Sequence, residues 1–103
     1  SANANKGHRE IGYRTVLYAI SEHRVPPLPV VVTMTRIAPR LLDEGDNLAM
    51  AFKSMRDGVA DALLPRRGKA SADDSDKRDT WQYTQRKGSP RQYAIAIDIQ
   101  QRT

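Results

Sequence analysis

The 103-residue sequence predicts an α+β fold, with a small mixed β-sheet packed by two main helices. Three observations lead there. Residues 8–21 carry apolar side chains near helical spacing, residues 30–37 are rich in β-branched side chains, and residues 47–64 hold the clearest apolar stripe of the chain. The length fits one domain over residues 1–103, enough for one modest core.

In the first helix, residues 8–21, Ile11, Val16, Leu17 and Ile20 recur near a 3.6-residue period, with Tyr13 and Tyr18 alongside. Val25-Pro26-Pro27-Leu28-Pro29 cannot continue it, because proline lacks the N–H donor and restricts the residue before it. The strand at residues 30–37 opens on three consecutive valines, which predicts cover on both faces near its start, and Pro39 closes it.

At 100° per residue, Leu48, Phe52, Met55, Val59, Ala62 and Leu63 form one stripe of a helix over residues 47–64. Asp46, Met50, Lys53 and Asp57 fall on the opposite line, which is open to chemistry. Gly58 inside this helix costs about 1 kcal/mol relative to alanine, so its presence predicts close packing against another backbone. Pro65 ends the helix, and residues 65–79 read as a polar loop, mobile over residues 66–70. A half-buried strand at residues 80–85 turns Trp81, Tyr83 and Gln85 to one face. After a turn at residues 87–90, the last strand, residues 93–99, places Tyr93, Ile95, Ile97 and Ile99 inward. These last two strands are expected to pair as an antiparallel hairpin. Three strands make a thin sheet, so a strand ahead of Ser1 or cover from a partner is expected.

There is no cysteine, which excludes disulfide scaffolds, thiolate zinc sites and cysteine nucleophiles together. The longest apolar stretch, residues 28–32, is far below the ~20 residues of a membrane helix, so no membrane partner is expected. His8 and His23 lie near opposite ends of one helix and cannot share a metal. The net charge of +5 is uneven: residues 1–40 are basic, residues 41–61 carry a net −3, and basic charge returns after them. Basic surroundings attract a polyanion, and an acidic island within them repels it unless a cation neutralises the island. A net charge of this size also has the plainer role of keeping a domain in solution.

What remains for chemistry is carboxylate. One cluster, Asp43, Glu44 and Asp46, stands where a loop enters a helix; the other, Asp73, Asp74 and Asp76, precedes a strand. Hard divalent cations take oxygen ligands, and carboxylates from two loops suit one or two such ions held against a phosphodiester. Plainer readings exist for both: Asp46 as a helix cap, and residues 73–76 as a solvated turn.

Glu44, Asp46-Asn47-Leu48, Asp61-Ala62-Leu63 and Asp73-Asp74 ahead of the last two strands stand in an order that resembles the RusA-type Holliday-junction endonucleases of phages and prophages. The likeness runs from about residue 8 to residue 99. It implies a small metal-dependent endonuclease, using Mg²⁺ or Mn²⁺, that acts as a homodimer on branched DNA in recombination and repair, in the cytoplasm of a bacterium or phage-infected cell. It also implies that Glu44, Asp46 and Asp74 hold the metal with Asp73 beside them, Asp46 and Asp74 being catalytic with Lys53. Arg36, Arg40, Arg66, Arg67 and Lys69 are the expected contacts to the DNA backbone.

The chain departs from the family pattern in three places. Glu44 stands where aspartate is usual. Met50 occupies the family's lysine position, with Lys53 following almost one turn later. The helix before Asp61-Ala62-Leu63 is about seven residues longer. Family members also carry an N-terminal strand ahead of a segment like residues 1–5, so the resemblance implies that such a strand is missing here. The alternative function is a non-catalytic DNA-binding or assembly protein that keeps the fold.

Overall fold

Nine residues, Val30–Ala38, form the central strand β1 of a three-stranded mixed sheet. A computed structural model describes residues 2–43, 48–64 and 78–103, with side chains from residue 7 onward. The described residues belong to two units. One holds residues 2–25 and 52–64, the other residues 26–43, 48–51 and 78–103.

In the second unit, β1 lies between β2 (Asp79–Lys87), which runs parallel to it, and β3 (Ala94–Gln101), which runs antiparallel. Val30, Val32 and Met34 are completely buried on one face, while Val31, Thr33 and Thr35 are half-buried on the other. Cover on the second face is therefore partial rather than complete. Both edges of β1 are paired: the Val30 N–H donates to Arg78 O at 3.0 Å, and the Arg102 N–H donates to Pro29 O at 2.9 Å. The strand stops before Pro39, as the proline requires.

The expected hairpin between the last two strands does not form. Their directions are antiparallel, but β1 sits between them in the order β2-β1-β3. The reason lies in composition. The Val30–Met34 run is suited to a position with neighbours on both sides, whereas β2 and β3 alternate half-buried and exposed residues as edge strands do. Flanking strands stand roughly 10 Å apart across a central one. Residues 88–93 connect them easily, since an extended chain gains about 3.3 Å per residue. Within this connection the Gly88 N–H continues the ladder to Ala38 O at 2.7 Å, and Gln92 Oε1 accepts from the Ser89 N–H at 2.8 Å. Tyr93, expected inward, precedes β3 and is 75% exposed; Ile95, Ile97 and Ile99 keep the inward alternation.

The first unit is a helical pair, α1 (Ala2–Ser21) and α3 (Lys53–Leu63). The expected helix over residues 47–64 is interrupted. A short α2 (Leu48–Ala51) ends at Phe52, and α3 follows with Arg56 N–H donating to Phe52 O at 2.8 Å. Phe52 departs modestly from helical geometry, at φ −99° and ψ −3°, with its ring 1% exposed. The apolar stripe holds from Phe52 onward, with Phe52, Met55, Val59, Ala62 and Leu63 all buried, while Leu48 at its head is half-buried.

α1 and α3 run antiparallel, since Gly12 lies against Met55 while Arg9 lies against Gly58 and Asp61. The face that α1 buries is not the one its hydropathy suggests. Gly12 and Val16 are buried, while Ile11, Leu17, Tyr18 and Ile20 are exposed. Close glycine contacts at Gly12 and Gly58 let the two helices approach each other. Beside them, Arg9 Nε and Nη2 both donate to Asp61 Oδ2, at 3.0 and 2.8 Å. Asp61 Oδ1 is buried without a partner among the described residues. Asp61→Ala removes the anion from a part-buried guanidinium and is expected to cost about 2 kcal/mol in urea unfolding.

α1 closes with a Schellman motif. The His23 N–H donates to Ile20 O and the Arg24 N–H to Ala19 O, both at 3.0 Å, with His23 at φ 57°. A side chain in that conformation is strained where glycine is not. His23→Gly is therefore expected to stabilise by about 0.5–1 kcal/mol and raise the melting temperature by a few degrees. An unchanged or lower value would contradict the cap assignment.

Candidate functional site

Because β1 and β2 are parallel, their carboxyl ends lie side by side, and the chain leaving β1 there enters the first acidic cluster. Open sheets commonly bind ligands at the carboxyl ends of parallel strands. Two neighbouring side chains hold this exit. Arg36 on β1 and Gln85 on β2 are register partners. Arg36 Nη1 donates to Arg40 O at 2.9 Å. The Leu42 N–H donates to Gln85 Oε1 at 2.9 Å, and Gln85 Nε2 donates to Leu42 O at 3.1 Å. The backbone at residues 40 and 42 is thus held by the sheet just before Asp43, which is exposed.

The same end carries Arg36, Arg40, Arg86 and Lys87, the last three exposed. Four cations at one end of the sheet make this a basic rim, suited to a polyanion in charge if not in sequence preference. No comparison supplies an identity. No protein-family model, no curated protein and no solved structure matches this chain.

Of the expected site residues, the sheet brings Arg36 and Arg40 together through the hydrogen bond above. Lys53 belongs to the helical unit, where it is 55% exposed and lies 3.9 Å from Asp57 one turn on. An exposed pair at that distance is weak and easily displaced. Met50 is 61% exposed on α2. Glu44, Asp46, Asp73, Asp74, Arg66, Arg67 and Lys69 lie outside the described residues, as does the 65–77 stretch of the expected polar loop. Among the described residues no three acidic or histidine side chains group as metal ligands, and Asp43 is the one carboxylate at the β1 exit.

His8 on α1 and His23 in the turn that closes it are both exposed. Among the described residues, no helix is long and apolar enough to cross a membrane. Sequence reasoning placed Gln85 on one face of its strand with Trp81 and Tyr83 and gave it no role. The available signal was a lone carboxamide in line with Trp81 and Tyr83, where an unpaired amide costs free energy and so demands a partner.

Proposed function

We propose that this chain is a metal-dependent endodeoxyribonuclease that cleaves phosphodiesters in branched DNA, Holliday junctions in particular, during recombination or repair. The observation that carries this reading is the spacing of carboxylates along one strand–helix–strand path. Glu44 and Asp46 come after β1 in the chain, Asp61-Ala62-Leu63 closes α3, and Asp73-Asp74 precede β2. The basic rim at the β1 exit supports a polyanionic substrate.

Glu44, Asp46, Asp73 and Asp74 would hold Mg²⁺ or Mn²⁺, which when bound supplies an activated water and neutralises charge at the scissile phosphate. Asp46 and Asp74 are the catalytic carboxylates. Lys53, released from its weak pairing with Asp57, would contact phosphate. Arg36, Arg40, Arg66, Arg67 and Lys69 fix the DNA backbone without reading sequence. Symmetric cleavage of a four-way junction calls for a homodimer, working in the cytoplasm of a bacterium or phage-infected cell.

The second reading is a DNA-binding or assembly protein without catalysis. It is favoured by the exposed Met50 at the lysine position. Cleavage of a synthetic four-way junction with Mg²⁺ or Mn²⁺ separates the two. In either case, neutralising about five phosphates gives a slope near −4 to −5 for log affinity against log salt. A slope near zero would remove DNA as the partner of both readings.

A further inference from the structure

We propose that the outer edge of β3 is a self-association surface, where a second copy of this chain adds its own β3 antiparallel about Ile97. The function proposed above calls for a dimer but names no surface. The pairing stands on the sheet alone, and its test uses neither DNA nor metal, so the two can fail separately.

Among the described residues β3 pairs with β1 alone, so its other edge ends the sheet. One hydrogen bond fixes which groups of β3 face that edge. The Arg102 N–H donates to Pro29 O, in line with the Val30–Gln101 register. Bonded residues alternate along an antiparallel ladder, so Ala94, Ala96, Asp98 and Gln100 turn their N–H and C=O towards β1. Ile95, Ile97, Ile99 and Gln101 turn theirs towards the open edge. Edge strands are ordinarily blunted by proline, lysine or a bulge. Ala94–Gln101 has no proline or lysine, and its register with β1 runs without a bulge. The opposite edge strand differs: β2 ends on the exposed Arg86 and Lys87 and contacts α2.

β3 is complementary to itself in one register. Ile97 and Ile99 stand beside the buried Met34 and Val32, and with Ile95 they remain half-buried at the edge. Pairing about Ile97 sets it against the partner's Ile97, and Ile95 against the partner's Ile99. Outward-facing backbone groups then meet outward-facing groups, and the isoleucine row continues across both sheets. On the other face, exposed Ala96 stands opposite the partner's Asp98. Moving the centre to Asp98 would oppose two like charges, which is destabilising. Moving it to Ala96 shortens the paired part of β3 from residues 94–100 to residues 94–98. A one-residue slip would turn one copy's isoleucines to the wrong face. A two-fold pairing uses the same edge on both copies, so assembly stops at two.

Sedimentation equilibrium of the full chain is expected to show a monomer–dimer equilibrium with a dissociation constant of about 10–100 µM. Ala96→Glu sets like charges opposite each other at two symmetric positions and should weaken the dimer about fivefold. Ala96→Lys should tighten it by a similar factor. Ala96 is exposed, so neither change disturbs the fold of the single copy.

Because the chain has no cysteine, introduced cysteines report the register. Positions 96 and 98 form a non-hydrogen-bonded pair with Cα atoms about 4.5 Å apart, within disulfide reach. An oxidised mixture of Ala96→Cys and Asp98→Cys is expected to cross-link mainly as the mixed dimer. Either variant cross-linking mainly with itself overturns the pairing about Ile97. A chain that stays monomeric at about 500 µM overturns the proposal as a whole. So does a dimer that both charge variants leave unchanged, which would place the interface elsewhere.

Discussion

Gly58→Ala is expected to destabilise the protein by about 3 kcal/mol or more, although the same change in an ordinary helix interior gains about 1 kcal/mol. A Cβ at Gly58 would collide with the carbonyl oxygen of Arg9. It would also lie 2.8 Å from the Arg9 carbonyl carbon and 2.9 Å from the Tyr13 nitrogen. All three are backbone atoms, so no side-chain rotation relieves the clash. α1 would have to move away from α3, weakening the Gly12–Met55 contact and the Arg9–Asp61 pair together. In a domain of this length the loss corresponds to a fall of at least about 10 °C in melting temperature.

Gly7→Ala is the control, because Gly7 lies on α1, where an added Cβ meets nothing within 4 Å. It is expected to raise stability by up to about 1 kcal/mol. Opposite signs for two glycine-to-alanine changes in one helical pair would establish the close crossing. Equal signs would refute it.

The second large effect concerns chemistry. Asp46→Asn and Asp74→Asn each keep the shape of the side chain while removing the charge a hard cation requires. Each is expected to lower junction cleavage at least about a hundredfold while junction binding is retained or strengthened. Retention is expected because a charge that repels phosphate has been removed. Cleavage that survives in either variant would take that residue out of the metal set.

Local character was legible in the sequence, and neighbour relations much less so. The β-branched run at Val30 announced a strand, Pro39 announced its end, and the Phe52–Leu63 stripe announced a buried helical face. Gly58 was conspicuous because a glycine inside a strong helix has to be explained by its surroundings, and Arg9 supplies them. Which strand lies in the middle was not legible from proximity in sequence. A short connection between residues 87 and 94 suggested a hairpin, but the more apolar β1 took the central place. The buried side of α1 was hidden for a related reason: hydropathy scores glycine as nearly neutral, yet the contact uses Gly12 and leaves Leu17 and Tyr18 exposed.

The site divides in the same manner. Carboxylates and arginines are visible as residue types, and their order along the chain suggests a chemistry. The clamp formed by Gln85 on Leu42 joins residues 43 positions apart and depends on the parallel pairing of β1 with β2. No local pattern encodes that pairing.

The central claim is tested most directly by incubating the full chain with a synthetic four-way DNA junction and Mg²⁺ or Mn²⁺, beside Asp46→Asn and Asp74→Asn. Paired symmetric nicks in the wild type that vanish in both variants are the predicted result. Tight, salt-sensitive junction binding with no cleavage in either metal would contradict the nuclease and leave a DNA-binding protein.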